Sequence, residues 1–63
     1  MHLTVCNQTL PLTRTGQWLT YDIHHPLADI AEVAVYAYQE SGEMHGEFED
    51  FDTDTLIPWS LTV

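Results

Sequence analysis

The 63-residue sequence has almost no basic residues: lysine is absent and Arg14 is the only arginine. Ten aspartate and glutamate residues give the chain a formal net charge of -9. Direct binding to a phosphate backbone requires clustered lysine and arginine, so this composition argues against a nucleic-acid-binding protein. A partner with a basic surface is the natural complement of such a charge.

Cysteine and long apolar runs are equally scarce. Cys6 is the only cysteine, which excludes an internal disulfide and a zinc site built from several cysteines. The sequence has no run of 18 apolar residues, and its first residues lack the pattern of a signal peptide. We therefore expect a cytoplasmic protein that forms one small domain, residues 1–63.

Alternating apolar residues predict strands along most of the chain. Leu3 and Val5 share one side of a strand at 2–6, and a return strand follows at 9–13. Pro11 cannot donate to a ladder, so the return strand is expected to lie at a sheet edge or to be irregular. Further strands are predicted at 17–23 and 59–63, with a helical turn at 26–31 and another that Pro58 would end. The predicted fold class is mainly β, an antiparallel sheet of about five strands with one or two short helical turns.

The segment 32–51 predicts a central hairpin that turns at Ser41-Gly42. In that register opposed residues share a face, and two sets of side chains separate cleanly. The apolar set comprises Val33, Val35, Ala37, Met44 and Phe48. The outer set comprises Tyr36, Tyr38, Glu40, Glu43, His45, Glu47 and Glu49.

An α+β fold with a helix at 26–38 is the alternative. Leu27, Ile30, Ala31, Ala34 and Tyr38 fit the stripe of an amphipathic helix. That helix would leave Val33, Val35 and Tyr36 outside the stripe, and β-branched and aromatic residues favour strands. The hairpin is therefore the preferred interpretation.

Catalytic and metal-binding motifs are not evident. Asp50, Asp52 and Asp54 alternate as at the start of a calcium loop, but Thr55 stands where such a loop needs glycine. The three glycines are isolated, so no phosphate cradle is formed. We expect no enzyme activity and no cofactor. A small metal-binding protein that uses His24, His25 and His45 is the least favoured alternative.

In its shortness, its near-absence of basic residues and its acidic sheet face, the chain resembles the small anti-defence proteins of phages, including nucleic-acid mimics among anti-CRISPR and antirestriction proteins. The resemblance implies an inhibitor that docks an acidic face on a basic, nucleic-acid-binding surface. The predicted partner-binding residues are Tyr36, Tyr38, Glu40, Glu43, His45, Glu47, Glu49, Asp50, Asp52 and Asp54. The alternative is an antitoxin, immunity protein or subunit that uses the Pro11-bearing or the C-terminal sheet edge, and a homodimer stays open.

Overall fold

The computed structural model describes all 63 residues and is mainly β, as predicted, with six strands and one helix. In chain order the elements are β1 (His2–Val5), β2 (Gln8–Pro11), β3 (Thr13–Thr15), β4 (Trp18–Thr20), α1 (Ala28–Ser41), β5 (His45–Asp50) and β6 (Thr55–Thr62). Four strands form an antiparallel sheet in the order β2-β1-β6-β5, and β3 pairs with β4 in a separate hairpin.

The register of the sheet places its large apolar side chains on one face. Leu3 pairs with Leu10 on one side and with Leu61 on the other. Trp59 pairs with Val5 and, across the sheet, with Gly46. Helix α1 covers this face, and the opposite face of the sheet is open. The core comprises Leu3, Val5, Leu10, Leu12, Leu19, Leu27, Ile30, Ala31, Ala34, Val35, Trp59 and Leu61.

The predicted hairpin at 32–51 is wrong, and the alternative helix is confirmed with slightly different bounds. Residues 28–41 are helical, and the apolar stripe turns Ile30, Ala31 and Ala34 into the core. Alanine is the best helix former, which offsets the strand preference of its valine and tyrosine neighbours. A sheet with one apolar face also needs a cover, and α1 supplies it.

Gly42 ends the helix; it does not turn a hairpin. Its φ is +70°, and its N–H donates to the Tyr38 carbonyl at 2.8 Å, while the Glu43 N–H donates to the Ala37 carbonyl at 3.3 Å. This is the pattern of a helix that closes on a left-handed residue. The predicted hairpin turn at Ser41-Gly42 is therefore wrong, because Gly42 acts at a helix end.

The C-terminal half holds two further corrections. The turn expected before Pro58 lies at 51–54, and Pro58 itself belongs to β6. Leu61 N–H donates to the Met44 carbonyl at 2.7 Å, so the odd-numbered residues of β6 bond to β5. The Pro58 nitrogen therefore points to the β1 side of β6. The last pair between β1 and β6 is Val5 with Trp59, so at Pro58 no carbonyl of β1 loses a hydrogen bond. Because β6 is an inner strand, the predicted C-terminal sheet edge does not exist.

The strand predicted at 17–23 is shorter than expected. β4 ends at Thr20, and Ile23, which was placed on the inward side, is 72% exposed. Asp22 Oδ1 accepts the His24 N–H at 2.9 Å and turns the chain toward the helix. A side chain that hydrogen-bonds the backbone two residues on favours a turn over a continued strand.

Candidate partner-binding surface

Five of the carboxylates of the C-terminal half lie on the β5–β6 hairpin. We call the five residues Glu47, Glu49, Asp50, Asp52 and Asp54 the acidic hairpin. Glu47 and Glu49 stand on the open face of the sheet, opposite Pro58 and Leu56 of β6, and both are exposed. Asp50 lies on the other side of the strand, and Asp52 and Asp54 belong to the connecting loop. The hairpin therefore shows negative charge along its strand and around its tip.

Local hydrogen bonds shape the loop at 51–54. Asp50 Oδ1 accepts the Asp52 N–H at 3.0 Å, and the Thr53 and Thr55 hydroxyls lie 2.6 Å apart. Asp54 closes the loop with a φ of +54°. Aspartate tolerates this left-handed conformation better than most residues, so the acids of the loop also serve its geometry.

Phe51 stands at the tip of the acidic hairpin and is 84% exposed. Open depressions of about 330 Å³ and about 260 Å³ lie on its two sides. Asp29, in the first turn of α1, lines the larger one and brings a sixth carboxylate to this end of the molecule. Phe51 is therefore a large exposed aromatic side chain with carboxylates on both sides, and aromatic residues are enriched at protein interfaces.

The structure divides the predicted partner-binding residues among three places. Tyr36 and Glu40 are exposed on the outer side of α1, whereas Tyr38 is half-buried against the core. Glu43 follows the helix, and His45 lies at the start of β5 on the same face as Glu47 and Glu49. The single face that was expected to unite tyrosines and acids is therefore absent, because a helix replaces the first strand of that hairpin.

The outer side of α1 is a second acidic surface that the sequence pattern did not reveal. Helical spacing aligns Asp29, Glu32, Tyr36 and Glu40 along one stripe. Tyr36 is 68% exposed and Val33, beside it, is 41% exposed. Phe51 was also missed, although its position between two aspartates in a turn was a signal of exposure. The carboxylates of Asp29, Glu32 and Glu40 extend the negative surface from the hairpin tip along the helix.

The pKa of Tyr21 is affected by the negative charge of α1. Burial raises the pKa of Tyr21, and the carboxylates of Glu32 and Asp29 raise it further. Each of these causes disfavours the phenolate. Asp29 and Glu32 therefore both contribute to the electrostatic environment of the Tyr21 phenol, after burial.

The three histidines of the metal-binding alternative do not come together. His25 precedes α1, and its Nδ1 accepts the Leu27 N–H at 3.0 Å. His45 follows the helix, whose 14 residues span about 21 Å. No group of three or more histidine, cysteine, aspartate or glutamate side chains is arranged to hold a metal ion.

Comparison with protein-family models, with curated proteins and with solved structures found no match. The single helix is too short, at 14 residues, to qualify as a membrane span, and no other helix is present.

Proposed function

We propose that this protein is a non-enzymatic inhibitor that docks the acidic hairpin on the nucleic-acid-binding surface of a basic protein or ribonucleoprotein. In this role it would act in the cytoplasm against a host defence complex, in the manner of anti-CRISPR and antirestriction proteins. The observation that carries the proposal is the exposed Phe51 ring within the acidic hairpin, in a chain with one arginine and no lysine.

The spacing of the carboxylates suits mimicry of a phosphate backbone. Glu47 and Glu49 are two residues apart on one strand, which separates them by about 6.7 Å. Successive phosphates on a nucleic-acid strand are separated on a similar scale, since the rise of about 3.4 Å per phosphate is only the component along the helix axis. A channel that binds successive phosphates with lysine and arginine can accept this row, and the bound hairpin then excludes nucleic acid by competition.

Phe51 contributes apolar contact area, which the carboxylates do not supply. Exposed carboxylates attract a basic surface at long range and raise the association rate, but they contribute modestly to affinity once screened. An aromatic side chain that enters a pocket on the partner buries apolar area and slows dissociation. We therefore expect the carboxylates to govern the salt dependence and Phe51 to govern the residence time.

Binding to a panel of purified DNA nucleases and CRISPR surveillance complexes, measured at low and high salt, tests the proposal. Affinity for the true target should fall steeply with salt, and the pair Glu47→Lys and Glu49→Lys should abolish binding. Phe51→Ser should weaken binding by about 2 kcal/mol, or about 30-fold in Kd, largely through faster dissociation.

A matched control places the same charge reversals on the other acidic surface. Glu32→Lys and Glu40→Lys change the net charge by the same amount on the outer side of α1. If this pair weakens binding as much as the hairpin pair, only net charge matters and the docking surface is wrong. Binding that ignores both salt and the hairpin variants for every target would refute the proposed function.

A further inference from the structure

Strand β5 is an open edge of the sheet. It is the last strand in the order β2-β1-β6-β5, and its inner side bonds to β6. The Leu61 N–H to Met44 carbonyl bond fixes which residues face inward: those with even numbers bond to β6. The main-chain N–H and C=O groups of His45, Glu47 and Glu49 therefore point away from the sheet. None of the hydrogen bonds outside the ladders uses them.

The opposite edge of the sheet is blunted. On β2 the Leu12 N–H to Met1 carbonyl bond continues the ladder with β1, so Leu10 and Leu12 face inward. Thr9 and Pro11 face outward, and proline has no N–H to offer. A strand that arrives at this edge finds an interrupted row of donors. The molecule thus leaves one edge available and closes the other.

The side chains of β5 determine which strand can pair with it. Glu47 and Glu49 occupy the open face, while Gly46 and Phe48 lie on the helix-covered face. A second copy of this chain would set glutamate against glutamate across the new ladder, and like charges opposite one another are destabilising. A segment with lysine or arginine at alternate positions places opposite charges there instead.

We propose that the β5 edge binds an extended basic segment of the partner by strand addition, with lysine or arginine at every second residue opposite Glu47 and Glu49. The inference rests on the proposed function and specifies how the partner is engaged. Strand addition supplies main-chain hydrogen bonds for affinity, and the alternating charges fix the register of the incoming strand.

The test uses main-chain chemistry that leaves every charge in place. A chain of this length is accessible to chemical synthesis, which allows N-methylation of the Glu47 amide. The methyl group removes an outward donor and blocks the edge, and it leaves the β5–β6 ladder intact. N-methylation of Thr9, an outward residue of β2, is the matched control at the other edge.

The probe is a blocked peptide of about ten residues in which lysine alternates with valine, the pattern that strand addition requires. The control is the same peptide with every lysine amide N-methylated, which keeps the charge and removes the main-chain donors that would face Glu47 and Glu49. We expect the valine peptide to shift the amide resonances of His45, Glu47 and Glu49 and the N-methylated peptide to leave them near their free positions. N-methylation of Glu47 should weaken binding of the valine peptide about tenfold or more, and N-methylation of Thr9 should leave it unchanged.

Other results overturn the inference. Equal binding of both peptides, or no effect of N-methyl-Glu47, means that the hairpin attracts charge without adding a strand. If Glu47→Gln with Glu49→Gln still weakens binding to the target protein in that case, the proposed function stands and only strand addition fails. A dimer of the free chain whose ladder runs through β5 would also refute it.

A second pair of variants guards against misfolding of the methylated chain. His45→Pro removes an outward N–H at the first residue of β5, a position where proline is tolerated, and His45→Ala keeps the N–H. Strand addition predicts weaker peptide binding for His45→Pro than for His45→Ala. Equal binding by the two variants would count against it.

Discussion

Gly46→Ala should unfold this protein more readily, because Gly46 makes room for the Trp59 indole. The two residues are paired on the core side of β5 and β6. A Cβ atom at position 46 would lie 2.6 Å from Trp59 Cζ2 and 2.9 Å from Trp59 Cε2. Contacts this short force the indole or the strand to move. Trp59 is only 4% exposed and sits in a packed core, so neither moves freely.

The expected loss follows from the cost of overpacking. Inserting a methyl group into a well-packed core typically costs about 1–3 kcal/mol. A domain of this size has a free energy of unfolding of about 3–9 kcal/mol, so the substitution removes a large share of it. The expected decrease in Tm is about 4–8 °C for each kcal/mol. Without the clash Gly46→Ala should raise the free energy of unfolding, because alanine in a strand loses less backbone entropy on folding than glycine.

Urea denaturation followed by circular dichroism gives the free energy of unfolding for each variant. Trp59→Phe supplies a smaller ring and also removes the indole N–H, which is buried without a hydrogen-bond partner. In the Trp59→Phe background Gly46→Ala should cost less, with an interaction energy of about 1–3 kcal/mol. His45→Ala, on the exposed side of the same strand, should stay within about 0.5 kcal/mol of the parent. A neutral Gly46→Ala, or an equal loss in both backgrounds, would refute the packing argument.

Three further substitutions test the backbone and the electrostatics. Cys6 has a φ of +55°, so Cys6→Gly should raise the free energy of unfolding by about 0.5 kcal/mol in urea denaturation, and Cys6→Ser should not. Gly42→Ala should lower it by about 1 kcal/mol through backbone strain alone, because nothing lies within 4 Å of the added Cβ. Burial, Glu32 and Asp29 raise the pKa of Tyr21 above 10.0 in the folded state. The folded chain then holds its proton more tightly than the unfolded chain, so this contribution to stability is complete below pH 10 and is lost as pH rises further. Denaturation at several alkaline pH values should show a smaller decline for Tyr21→Phe, and an identical decline would contradict the assignment.

The sequence predicted the strands of the sheet better than its cover. Alternation at Leu3 and Val5, and at Trp59 and Leu61, correctly identified two adjacent strands, and Pro11 correctly marked an edge. The apolar alternation and the proline depend only on residues within each strand, so they can be interpreted without knowledge of the tertiary structure.

The segment 28–41 failed because both periodicities fit it. Val33 and Val35 support a strand, and the stripe from Leu27 to Tyr38 supports a helix. The choice depends on tertiary context: an apolar sheet face needs a helix against it, and residues far along the chain create that need. Glu47 and Glu49 were correctly assigned to one strand face, whereas the continued strand or helical turn expected at 52–54 is a tight turn that also exposes Phe51.

The open edge of β5 has a consequence for handling the protein. Repulsion between the glutamates of two copies opposes pairing through β5 at neutral pH, and the sequence pI is about 4.3. As a solution is acidified toward that value the repulsion fades, while the outward N–H and C=O groups of β5 remain. Because only this edge is available, two copies can then pair through β5, so mildly acidic buffers should promote a dimer that dissociates on return to neutral pH.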